Sequence, residues 1–325
     1  MLKLFKFTLA VIILVILGHY YNEHKKVVNS RKLDKLDLIQ EYLLNGRGGI
    51  SSKKPILWIH NKYKINARDW ASFGSRNTED LNQPYLYLCV NSMIKHCANS
   101  FNVVLINDSS FKKLIPGWNV SMDILSSPIQ DHMRCFALAQ LLYYYGGMLV
   151  PCSTLALGDF KPLFNKGVSQ HGCFTIEKVN RTSTSQHKQF FPTIKMLGCE
   201  RKNSTMLELV KYLEVLALSD YTSEVDFLGE ADRWLYDKTS KHKITLIDGK
   251  AMGIKTICGK PVYINDLLSD KYINFDKRVL TGIYIPCDEL LKRTNYQWFT
   301  RLSQEQVLAA DTLISRYILL SLGKN

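Results

Sequence analysis

The sequence predicts an α/β domain on a mainly parallel sheet, preceded by an N-terminal transmembrane helix. Three observations carry that expectation. From residue 55 onward, short β-branched and apolar runs alternate with segments of helical period. Several of the helical segments bear start and stop residues at the right places. Finally, an apolar run of about 15 residues, Phe7 to Tyr21, stands close to the N-terminus.

That run, "FTLAVIILVILGHYY", is interrupted only by Thr8 and His19 and is preceded by Lys3 and Lys6. It is shorter than the ~20 residues of a typical span, but Tyr20 and Tyr21 suit the membrane interface and a thinner bilayer would accommodate it. No small-residue cleavage site follows, which favours an uncleaved signal-anchor over a signal peptide. The expected organisation is a tail at 1–6, a transmembrane anchor at 7–21, a stalk and linker at 22–54, and a globular domain at 55–325. Sidedness is left open by two opposed signals. Lys25, Lys26, Arg31, Lys32 and Lys35 follow the run and point to the cytosolic face. Sequons at Asn107, Asn119, Asn180 and Asn203 point to the ER or Golgi lumen.

Hydrophobic residues make up 46% of the chain and charged ones 22%, which excludes a disordered protein. The formal net charge is +13; residues 1–60 supply six units of it, from ten Lys/Arg against four Asp/Glu. The rest is spread thinly, without the dense basic stripe of a nucleic-acid binder, so no nucleic-acid partner is expected. A diffuse positive surface suits phosphate-bearing ligands or anionic headgroups. Eight cysteines occur without a CxxC pair, which argues against a zinc or redox site and for small buried hydrophobes.

Element by element, "PILWIH" (55–60) reads as a buried strand, 81–100 as a helix whose usable part starts at Pro84, and "NVVLIND" (102–108) as a second strand. "SPIQDHMRCFALAQLLYYYGG" reads as a buried helix. Its expected start is Ser127 as N-cap, Pro128 at the first position and Gln130 completing a capping box; Gly146 is the expected left-handed C-cap. "MLV" returns the chain to the sheet. "CFTIEKV" (173–179) and "KITLIDG" (243–249) are strand candidates and "MLELVKYLEVLAL" (206–218) a helix. "SQEQVLAADTLISRYILLSL" (303–322) reads as one closing helix with a capping box at Ser303 and Gln306.

Ligands of parallel sheets bind beyond the carboxyl ends of the strands. Those ends are His60, Asn107/Asp108 and Pro151–Ser153. Asp131 and Arg134, three residues apart, share a helix face, and the polar loop 69–86 offers Arg76 at the border of such a pocket. Each residue has a plainer reading: an ordinary helix ion pair for Asp131 and Arg134, a turn former for Asp108, a structural imidazole for His60, an inert thiol for Cys152.

Asp131, Arg134, Tyr145, Gly146 and Gly147 together resemble the sugar-binding region of family 32 glycosyltransferases and capsular-polysaccharide synthesis proteins, whose pattern is roughly S-D-x-x-R-x-x-x-L-x-x-x-G-G-x-Y-x-D-x-D. "KPILWIH" resembles the family's first strand. The resemblance covers about residues 54–165 and implies a GT-A-like fold with a nucleotide-sugar donor and a glycan or polysaccharide acceptor. It implies a donor site held by Asp131 and Arg134, with Gly146 and Gly147 admitting the ligand close to the backbone; strand-end position adds His60, Asp108 and Ser153 as candidate donor contacts, and loop position adds Arg76. It also implies a Mg²⁺ or Mn²⁺ ion held by the D-x-D carboxylates. Here those two positions are Pro151 and Ser153. Three outcomes are open: a metal-independent enzyme using Arg134 with Lys112 or Lys113; a metal held by Asp108 or by the cluster from Glu224 to Asp232; or a catalytically inactive sugar- or nucleotide-binding protein.

Overall fold

The computed structural model describes residues 54–62, 83–181, 185, 187–219 and 229–323. The proposed anchor and stalk lie outside them, as does Arg76. Among the described residues no helix is long and apolar enough to cross a membrane.

The chain begins with β1 (Ile56–His60), α1 (Pro84–Cys97) and β2 (Asn102–Ile106), then α2 (Ile129–Tyr145) and β3 (Gly147–Pro151). β1 pairs in parallel with β2 on one side and with β3 on the other. The side chains of β1 explain why the two helices flank opposite faces. Leu57 and Ile59 point into one core with Tyr85, Cys89 and Met93 of α1. Ile56 and Trp58 point into a second core with Ala137, Leu141 and Leu142 of α2. A strand buried on both faces reads as an unbroken apolar run, which is how "ILWI" reads.

Beyond β3 come β4 (Thr154–Ala156), α3 (Lys161–His171), β5 (Cys173–Val179), β6 (Phe190–Cys199), α4 (Ser204–Ser219), α5 (Glu230–Ser240) and β7 (Thr245–Ile247). The six-stranded sheet has the order β2-β1-β3-β6-β5-β7. Three of its five pairings are parallel; β6 runs against both β3 and β5. β4 pairs instead with β8 (Gly282–Tyr284), which leads into α6 (Cys287–Lys292).

Three helix-end expectations are corrected. α2 starts at Ile129 with no side-chain cap; Ser127 Oγ donates to Asp131 Oδ2 at 3.1 Å instead of capping the backbone, and Gln130 Nε2 reaches back to the Met122 carbonyl. Gly146 has φ +71° but ψ −168°, so it turns the chain straight into β3 rather than forming a left-handed cap. The closing helix is two: α7 (Gln304–Ala309), which keeps the capping box of Ser303 and Gln306, and α8 (Leu313–Leu322). The break comes from Thr312, whose hydroxyl accepts from the Ser315 N–H and starts a new helix.

All eight cysteines are free, and six are buried, as small apolar side chains would be. Of the sequon asparagines, Asn180 is buried, Asn107 and Asn203 use their side-chain oxygens as backbone acceptors, and Asn119 is exposed.

Candidate functional site

The connection from β1 leaves toward β2 on one side, and the chain later re-enters on the other side as β3. The strand order therefore reverses between β1 and β3, the place where open α/β sheets form a crevice beyond their carboxyl ends. A cavity of ≈ 110 Å³ lies there. Its floor is Val150, Pro151 and Cys152 at the end of β3, and its apolar wall includes Leu138, Ala139 and Leu197.

One side of the cavity is a buried polar chain. His60, at the tip of β1, lies with Nε2 2.8 Å from Asp108 Oδ1 and stacks on Phe111 at 5.5 Å. Arg134 grips Asp108 as a fork, through Nε at 2.9 Å and Nη2 at 2.6 Å, and donates its other terminal nitrogen to Asp131. Burial opposes ionisation of Asp108, but the hydrogen bonds from Arg134 and His60 outweigh it and hold the carboxyl well below its usual range. Burial lowers the pKa of His60 despite Asp108, so the imidazole is neutral near pH 7. Its N–H is then the donor to Asp108. Arg134 is thus largely committed to protein carboxylates, and its effect on a ligand passes mainly through Asp131, which lines the cavity and stays partly exposed.

The other side is basic and was not foreseen from the sequence. Lys62 and Lys195 converge on one carboxylate, each Nζ 2.6 Å from Asp288. Burial works against that charge, yet Lys195 and Lys62 keep Asp288 far below the ordinary carboxylate range. Lys195 owes its position to the antiparallel course of β6. Leu149 pairs with Leu197, and beyond that rung β6 leaves regular register at 194–196, where Lys195 reaches the cavity that Pro151 also lines. Where the sugar-transferase pattern has a carboxylate, this protein has a proline, and a lysine lines the same cavity. No local motif announces this, since Lys62, Lys195 and Asp288 are far apart in sequence; the one signal was the missing D-x-D pair itself.

The remaining expected residues fall elsewhere. Gly146 and Gly147 stand at the opposite end of β3 from the cavity. A Cβ on Gly147 (φ +103°) would lie 2.2 Å from the Ile56 carbonyl oxygen, so these glycines admit a neighbouring strand and not a ligand. Ser153 is fully buried and does not line the cavity. Lys112 and Lys113 are exposed and do not line it either. Asp232 is buried in an ion pair with Lys178 and accepts from the Ile194 N–H, while Glu224 lies outside the described residues. Burial pushes the thiols of Cys135 and Cys287 up to about 12 and about 11 and raises that of Cys152 well above its ordinary value, so none is a nucleophile near neutral pH.

The donor set does not fit a divalent cation. Pro151 offers no ligand, Ser153 is turned away, and Asp108, Asp131 and Asp288 are each held by arginine or lysine. No group of three His, Cys, Asp or Glu among the described residues could hold a metal ion.

Fold and site together define a doubly wound α/β protein with a two-signed crevice at its switch point. No protein-family model matches the chain, and no curated protein matches it. Among solved structures, one described as PaToxG Glycosyltransferase aligns over 91% of this chain and 96% of its own, with 12% identity and a TM-score of 0.30. A TM-score of that size establishes neither a shared fold nor a shared activity.

Proposed function

We propose that the protein is a glycosyltransferase that uses a nucleotide-sugar donor without a metal ion, on a GT-A-like domain. The observation that carries this reading is the convergence of Lys62 and Lys195 on one anionic group beside Pro151. Two ammonium groups at the carboxyl ends of β1 and β3 supply the positive charge that a D-x-D-bound cation would give a leaving diphosphate. Asp131, held by Arg134, faces the same cavity and suits sugar hydroxyls. In the reaction the acceptor hydroxyl oxygen bonds to the anomeric carbon as the bond from that carbon to the diphosphate oxygen breaks. The bonding pair leaves with the nucleoside diphosphate, whose charge the lysines stabilise, and the hydroxyl proton passes to water. The acceptor is a glycan or polysaccharide in this reading, and residues 7–21 anchor the domain to a membrane.

The test is release of nucleoside diphosphate from a panel of nucleotide-sugars by the full chain in detergent. Turnover should persist in EDTA and fall at least ~100-fold in Lys195→Met, the scale of losing one preorganised charge at a leaving group. EDTA-sensitive turnover, or no binding of any nucleoside diphosphate, would overturn the proposal. One observation favours a second reading, binding without transfer: both carboxylates that line the cavity, Asp131 and Asp288, are ion-paired. Tight nucleotide-sugar binding with no release of nucleoside diphosphate would select it.

A further inference from the structure

A second concavity of ≈ 290 Å³ adjoins the first, close to the ~300 Å³ lower end of small-molecule pockets. Lys195, Tyr284 and Asp288 line both, so the two are separated by little more than those side chains. Five cations line the second space: Lys178, Arg181, Lys195, Lys292 and Arg293. Two carboxylates, Asp288 and Glu289, oppose them. With Asp232 counted as the buried partner of Lys178, an excess of two positive charges remains. Arg181 is held in place, 4.7 Å over the Tyr263 ring and 2.9 Å from Glu289. The floor is apolar, with Ile254 and Val262. Tyr284, at the seam, has its phenol pushed far up by its low-dielectric surroundings and is therefore a hydrogen-bond donor at any ordinary pH.

A concave, positively charged site one side chain away from a donor crevice selects a ligand that is anionic and hydroxyl-bearing. We propose that this second cavity is the acceptor site and that it takes a phosphate-bearing sugar or polyol, its phosphate among Arg181, Lys292 and Arg293 and a hydroxyl turned toward Lys195 and Tyr284. The inference rests on the transferase reading for the role, but binding can be measured apart from transfer.

The experiment is calorimetry on the full chain in phosphatidylcholine nanodiscs, with glucose 6-phosphate, glucose and UDP or GDP as separate probes. Glucose 6-phosphate should bind and glucose should not. The exposed pair Lys292→Glu/Arg293→Glu should weaken glucose 6-phosphate at least ~10-fold and leave the nucleoside diphosphate unchanged; Lys62→Gln should do the reverse. Nanodiscs containing phosphatidylinositol provide the second arm. If they bind tightly to the wild type, less tightly to the double variant, and glucose 6-phosphate does not bind, the phosphate is that of a lipid headgroup. Absence of both interactions, or competition of glucose 6-phosphate with the nucleoside diphosphate for one site, overturns the inference. Loss of nucleoside diphosphate binding alone overturns the transferase reading and leaves this site standing.

Discussion

Asp288→Asn should tighten the binding of nucleoside diphosphates. The native carboxylate lies 2.6 Å from both Lys62 and Lys195. A ligand phosphate docking on the same two ammonium groups must displace it or sit beside it, at about 4 Å. Two unit charges at that separation repel by about 1 kcal/mol in bulk water and about 4 kcal/mol at an effective dielectric of 20. The lysine side chains are 26% exposed and Asp288 13%, so the site lies between these limits. We take about 1.5–2 kcal/mol after screening, which at 1.4 kcal/mol per decade is a gain of roughly 10–30-fold. Asparagine keeps the shape and one acceptor oxygen, so the lysines stay close to their places. Calorimetry with UDP and GDP in EDTA, at low and high salt, is the assay; the gain should shrink as salt rises. Unchanged or weaker binding at low salt, in a variant with a native-like melting transition, would refute the idea that Asp288 stands where a ligand anion binds.

Gly147→Ala should destabilise the domain by about 3 kcal/mol or more in denaturant titration, because its Cβ would overlap the Ile56 carbonyl at a positive φ. A loss below about 1 kcal/mol would show that the two strands can separate there. Arg134→Met strands the buried Asp108 charge and should cost about 3–5 kcal/mol, with part recovered in Arg134→Met/Asp108→Asn, as a double-mutant cycle in thermal or urea unfolding would report. His60 has a folded pKa below its unfolded value, so the unfolded chain takes up its proton first. Stability should be full above about pH 6.5 and fall below it toward the folded pKa, and His60→Gln should flatten that slope in melting curves. If the domain is luminal, Asn119 should carry the glycan, and Asn119→Gln should abolish the glycosidase-sensitive mobility shift, since Asn180 is buried and the side chains of Asn107 and Asn203 are engaged in hydrogen bonds.

Much of the first half of the sheet could be read from period and punctuation. "ILWI" and "NVVLI" are strands because both faces are covered, and the long apolar α2 is buried between the sheet and α4. β6 was missed. Its sequence, "FFPTIKMLGC", carries Pro192 and Gly198, residues that normally weaken a strand assignment, and only tertiary pairing with β3 and β5 overrides them. The acidic and basic halves of the site divide in the same way. Asp131 and Arg134 are three residues apart on one helix and declare themselves locally. Lys62, Lys195 and Asp288 meet only because β6 runs antiparallel and β8 delivers α6 to the same end of the sheet. The glycines misled because a Gly-Gly pair has the same letters whether it makes room for a ligand or for a strand.

That close approach of Gly147 to Ile56 acts as a datum for the rest of the domain. Two strands that touch backbone to backbone at their lower ends cannot slide past one another, so each later rung is levelled from that contact. At about 3.3 Å per residue, four rungs bring Pro151 up beside His60, some 13 Å above the reference point. The height of the crevice floor is therefore gauged from the far side of the sheet, by a residue that no ligand reaches.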